Sequence, residues 1–182
     1  MAVLSRIYRV LGVVAAIGVA IATHNLDWTK PSLAKSQDRT NAVEIALGQP
    51  EAINREDQSV ILHSAGIQKA LQGNYLDAIE DYSQALRLSP RNPDIFFNRA
   101  VAHYAVGHSQ QALRDFNHVI QLQPTMAEAY ADRATLRLEA GDSAGAIADV
   151  QKAADLFEQQ GEPDLAAEMR EWVQQHNTGS DF

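Results

Sequence analysis

The feature that most constrains this chain is a residue pattern that returns every 34 positions. Its central copy reads Phe96, Arg99, Ala100 and His103, then Gly107, Ala112, Phe116 and Pro124. The copy before it supplies Gly73, Ala78, Tyr82, Leu88 and Pro90, and the copy after it Gly141, Ala146, Val150 and Leu156. Asp81, Asp115 and Asp149 keep the same period. A period of this length marks small stacked units, each of which buries its apolar face only against its neighbours.

Within each copy a glycine divides two helical stretches. A helix is expected near Ser59–Gln72, closed by Gly73, because the left-handed backbone that ends a helix costs glycine no steric penalty. A second follows over Tyr75–Leu88, and Pro90 cannot continue it. Asn92-Pro93 reads as an N-cap followed by proline at the first helical place. It opens helices near Pro93–Val106 and Ser109–Leu122. Thr125 with Glu128 reads as a capping box for the next pair, near Ala127–Ala140 and Ser143–Gln159. Gly161 closes that pair, and a last helix starts at Pro163 with Leu165, Met169, Trp172 and Val173 on one face. Gly66, Ala100 and Ala134 are expected where the two helices of a unit cross, opposite Ala78, Ala112 and Ala146. Small residues there let the backbones approach closely.

A 34-residue helix–turn–helix unit with a mid-unit glycine and small residues at these places resembles the tetratricopeptide repeat. The resemblance spans about 59–160. It implies an all-α, right-handed helix–turn–helix solenoid of three tetratricopeptide repeats (59–92, 93–126, 127–160) with a C-terminal capping helix over 161–176 and a tail over 177–182. The chain departs from the family pattern at Lys69, His103 and Arg137, which replace the usual aromatic, and at Arg99 and Arg133, which replace the usual leucine. Their stems are expected to be buried and their polar heads wet. Arg99 and Arg133 are also expected to pair with the periodic aspartates across neighbouring helices and so link one repeat to the next.

The N-terminus has a different character. Arg6 and Arg9 precede an apolar run from Val10 to Ala22, with Ala20-Ile21-Ala22 as a small-x-small cleavage pattern. This 1–22 segment reads as a signal peptide or as an N-terminal membrane anchor through residues 7–22. A 13-residue helix spans about 20 Å against the ~30 Å of a bilayer core, which favours cleavage. Cleavage after Ala22 removes two arginines and no acid, taking the net charge from −8 to −10. Export to a periplasm or thylakoid lumen, or anchoring, is the expected location. Residues 23–58 read as a flexible linker, with Val43–Leu47 as a stretch able to dock on the repeats.

The remaining sequence excludes more than it offers. There is no cysteine, so disulfides, thiolate metal sites and thiol nucleophiles are ruled out. The net charge of −8 gives no basic field for nucleic acid. No phosphate-binding loop, nucleophile elbow or H-E-x-x-H occurs, and no two of the six histidines have the i, i+4 spacing of a helical metal site. Neither an enzyme nor a cofactor or metal is expected.

In the family the first helix of each repeat lines a concave groove that holds a partner polypeptide. The resemblance carries this role to His63 and Ile67, to Phe97, Asn98, Val101 and Tyr104, and to Glu128, Asp132, Thr135 and Leu138. Ile67, Phe97, Val101, Tyr104 and Leu138 make an apolar middle beside an acidic edge, which suits an apolar or amphipathic segment bearing basic residues. Chaperone-binding members of the family grip a terminal carboxylate with Lys, Arg and Asn. Asn98 is in place for that, but Glu128 and Asp132 would repel a carboxylate. The implied function is a non-catalytic adaptor. Alternatives are an anchored assembly factor for a photosynthetic membrane complex and a self-associating scaffold.

Overall fold

The computed structural model describes residues 54–177. The apolar run, the 23–53 part of the linker with Val43–Leu47, and the 178–182 tail lie outside the described residues. Seven helices and no strand occur among them: α1 (Arg55–Leu71), α2 (Tyr75–Leu88), α3 (Pro93–Ala105), α4 (Ser109–Leu122), α5 (Ala127–Glu139), α6 (Ser143–Gln159) and α7 (Pro163–Asn177). No helix of the described residues is long and apolar enough to cross a membrane.

Local chemistry accounts for most boundaries. Gly73, Gly107, Gly141 and Gly161 all have positive φ, between 77° and 84°, and each ends the helix before it. The Asn92 side chain accepts from Asp94 N–H and Ile95 N–H, with Pro93 next. Three expectations are corrected. Helix α1 starts at Arg55, four residues early, because Asn54 accepts from Asp57 N–H and caps it; 55–58 is therefore helix, not linker. No capping box forms at Thr125. Met126 is the N-cap of α5 without a side-chain bond, and Thr125 instead offers its backbone carbonyl to Gln160 Nε2 at 3.0 Å. On α7 the buried residues are Ala166, Met169, Trp172 and Val173, while Leu165 remains 37% exposed. Ala166 falls on the buried stripe because Met169 stands three residues on and Val173 seven, along the same face.

The described chain falls into two compact units, 54–115 and 116–177, whose boundary lies within α4. In the first unit α1, α2 and α3 surround Ala78, Tyr82, Ala85, Leu86, Ile95 and Ala102. In the second, Ala127, Tyr130, Ala134, Ala146, Val150, Phe157, Met169 and Trp172 belong to one core built from α5, α6 and α7. The crossing residues behave as their size requires. Ala78, Ala100, Ala112 and Ala146 are wholly buried. A Cβ added at Gly66 would stand 2.5 Å from Tyr82 Cε1, so glycine there is what lets the Tyr82 ring seat against α1.

Candidate functional site

The basic and acidic positions of the repeat build one motif twice. Arg99 on α3 donates from Nε and Nη2 to the two oxygens of Asp115 on α4, both at 2.8 Å, and from Nη1 to Ser83 Oγ on α2 at 3.1 Å. Arg133 on α5 donates to Asp149 at 2.8 and 2.7 Å, and to Asn117 Oδ1 at 2.7 Å. Each guanidinium also lies 5.6 Å from an aromatic centroid one turn earlier, Phe96 or Tyr130. The bidentate pair therefore joins the two helices of one repeat. The link to the preceding repeat runs through Ser83 or Asn117, not through aspartate as expected.

Two of the heads at the aromatic places are part-exposed and ion-paired. Lys69 Nζ sits 2.7 Å from Asp81 Oδ2, which holds its ammonium pKa above the usual lysine value. Arg137 Nη1 reaches Asp149 Oδ2 at 2.9 Å and the Gly145 carbonyl at 3.1 Å. Asp149 thus receives two arginines. At the same place in the middle repeat His103 has a buried Nδ1 with no partner, and desolvation lowers its pKa despite the nearby Asp115. These groups are committed to structure.

The residues proposed for partner contact lie on the first helix of each repeat. In the first unit Phe97, Asn98, Val101 and Tyr104 are half-buried on α3. Ile67 packs on the core of that unit, so it serves the hairpin as well as the surface. His63 is buried beneath them. Its Nε2 lies 2.7 Å from Asn98 Nδ2, and its ring meets Tyr82 edge-on at 5.8 Å. The amide donates, so Nε2 is the bare nitrogen of a neutral ring. Burial lowers the His63 pKa to about 4, in keeping with that bond.

In the second unit the same register gives a different result. Glu128 is half-buried, and Leu138 packs against the core. Thr135 is buried and returns its hydroxyl to Ala131 O at 3.3 Å. Asp132 is completely buried, and neither carboxylate oxygen has a partner. Desolvation, then the charge of Glu128, pushes its pKa well above the usual carboxylate range. The expectation of an exposed acidic edge is corrected here. One acid is half-open and the other enclosed, because α5 is alanine-rich on several faces and its neighbours close around it. The sequence placed Asp132 on one stripe with Glu128 and Thr135, but its burial and the His63–Asn98 bond had no sequence signal. Among the described residues no three His, Asp or Glu side chains gather in a way that would hold a metal ion.

Family models place this arrangement. A model of the TPR repeat matches residues 69–107 and one of the tetratricopeptide repeat matches residues 102–161. Among solved structures, the Sgt2 TPR domain from Aspergillus fumigatus is 26% identical. The alignment covers 74% of this chain and 91% of that one, with a TM-score of 0.59. The first TPR of Spaghetti, bound to an HSP90 peptide, is 24% identical over 70% of this chain and 98% of its own, with a TM-score of 0.60. PcrH, in complex with the chaperone-binding region of PopD, is 20% identical over 66% and 91%, with a TM-score of 0.61. The last two bear on the fold alone. No curated protein sequence matches the chain.

Proposed function

From a chain that carries tetratricopeptide repeats, we propose a non-catalytic adaptor that binds a segment of a partner polypeptide along the first helices of its repeats. The observation that carries this reading is the surface of α3. Phe97, Val101 and Tyr104 are left half-buried beside Asn98, in a helix whose other faces are used for packing. Large apolar side chains kept part-exposed and flanked by polar groups favour an amphipathic ligand. Two similar folds, the Spaghetti domain and PcrH, are described with a bound peptide and a bound PopD region. Their ligands do not transfer. The half-buried Glu128 on α5 disfavours an acidic tail and favours a segment with basic residues.

The N-terminal apolar run adds location to the proposal. With Arg6 and Arg9 ahead of it, it delivers the repeats across a membrane or tethers them to it. In the anchored form the adaptor serves assembly of a membrane complex, and a second copy of the chain is a rival occupant of the same helices.

A photo-crosslinking amino acid at Val101, with Lys152 on α6 as control, tests the site in the native host. The expected result is a discrete partner adduct from Val101 and none from Lys152. Equal labelling from both positions overturns the assignment, and an adduct of twice the chain mass makes the partner a second copy.

A further inference from the structure

The face between α1 and α3, both within the first unit, carries apolar side chains that the packing of the helices leaves part-open. Val60, Ile67 and Leu71 follow one another along α1 at spacings of seven and four, so they share a side of the helix. Leu71 is 67% exposed, and Val60 and Ile67 are half-buried. Phe97, Val101 and Tyr104 do the same on α3, all half-buried. The His63–Asn98 bond joins the two helices between these stripes and sets them side by side. Asp94, one turn before Asn98, is half-buried and pairs with no basic side chain among the described residues, and desolvation raises its pKa. A ligand for this face therefore needs apolar side chains and a cation near the start of α3.

The chain has a segment of that chemistry just ahead of α1. Arg39 is followed by Ala42, Val43, Ile45, Ala46 and Leu47, with Glu44 the single acid among residues 39–47. We propose that Val43–Leu47 is the resting occupant of the α1–α3 face, with Arg39 directed to Asp94, and that a partner must displace it. This deepens the adaptor reading and rests on it. The reach suffices. Six residues separate Leu47 from Asn54, the N-cap of α1. The seven steps between them extend to about 24 Å, at ~3.4 Å each. The 17 residues of α1 rise about 25 Å, so the segment can lie along almost any part of the face. Arg39 stands four residues before Val43, about 13 Å when extended, and Asp94 lies only about 10 Å along α3 from Val101. Removal of a signal after Ala22 leaves the segment in place, and so does its retention. A tether this short gives an effective concentration of about 1 mM. Docking with a Kd of only ~100 μM then fills about 90% of the faces and weakens a partner about tenfold.

Because the chain has no cysteine, an introduced pair reads proximity without background. In the full chain Ala46→Cys is combined with Val101→Cys or, as control, with Glu80→Cys at an exposed position of α2. Under dilute oxidation the pair with Val101→Cys is expected to close within single chains at least tenfold faster than the control, as about 1 mM local concentration at one face implies. Adding Val43→Asp and Leu47→Asp, both ahead of the first helix, should bring the two rates level. Equal rates at the outset, or a difference that survives this double variant, overturn the proposed seat and leave the adaptor reading standing. A disulfide between two chains makes the occupant a second copy and overturns the seat as well. Displacement is read by the photo-crosslinker at Val101 in the native host, where Val43→Asp with Leu47→Asp should raise the yield of partner adduct severalfold. An unchanged yield overturns the resting occupancy. No partner adduct from either chain, with the intramolecular disulfide formed, overturns the adaptor reading and leaves the segment seated.

Discussion

Asn98 and Asp132 occupy the same place in consecutive repeats and are treated in opposite ways. In the first unit the side chain is half-buried and bonded to His63 on the neighbouring helix. In the second it is enclosed and has no partner. The arginines one residue later show no such divergence. Arg99 and Arg133 grip Asp115 and Asp149 with distances that agree within about 0.1 Å. Repetition has thus held the structural clamp constant and let the neighbouring stripe vary. In a repeat protein the positions that recur in every copy make the stack, and Asn98 and Asp132 are not among them.

The largest expected effect separates the two clamps. Arg99→Leu leaves Asp115 buried without its cation and should cost about 3–5 kcal/mol. Arg133→Leu should cost clearly less, since Arg137 still holds Asp149. Urea unfolding of both variants measures the gap, and equal losses would dissolve the distinction between a singly and a doubly paired aspartate.

Next is the acid sensitivity of the first unit. The folded-state pKa of His63, about 4, lies below the usual 6.5, so the unfolded chain binds the extra proton between these values. The contribution of His63 is present above pH 6.5 and lost as pH falls toward 4, by about 3 kcal/mol in all. His63→Gln should flatten that part of the stability–pH curve. An unchanged slope would mean that other groups carry it.

Gly66→Ala pushes a methyl into the Tyr82 ring and should cost about 1–3 kcal/mol. The double variant Gly66→Ala with Tyr82→Leu should recover part of the loss, and thermal unfolding of the set decides it.

The smallest effect has the opposite sign. The Asp132 pKa is raised, so its carboxyl favours the folded state at low pH and opposes it as pH rises through the folded-state value. Asp132→Asn should leave acid stability unchanged and raise stability at alkaline pH, by denaturant midpoint. A variant that is less stable at every pH would mean the carboxylate has a donor after all.

Much of this was readable from one sequence. The 34-residue period, the four glycines that end helices and the alanines at helix crossings led to the all-α repeat and to six of the seven helix starts. These signals are local, or repeat the same local solution, so they do not depend on what packs where. The site was legible only as a stripe. The family resemblance put Phe97, Asn98 and Val101 on one face of α3 and Asp132 and Thr135 on one face of α5, and helical geometry alone sets which residues align. Depth along those faces is another matter. That Thr135 and Asp132 are enclosed, that Ile67 and Leu138 lean into cores, and that Arg99 reaches Ser83 as well as Asp115 depends on neighbours 16 or more residues away. Periodicity determined which residues face together; only the packed helices decided which of them keep water, because desolvation is set by everything that closes around a group and not by the helix that carries it.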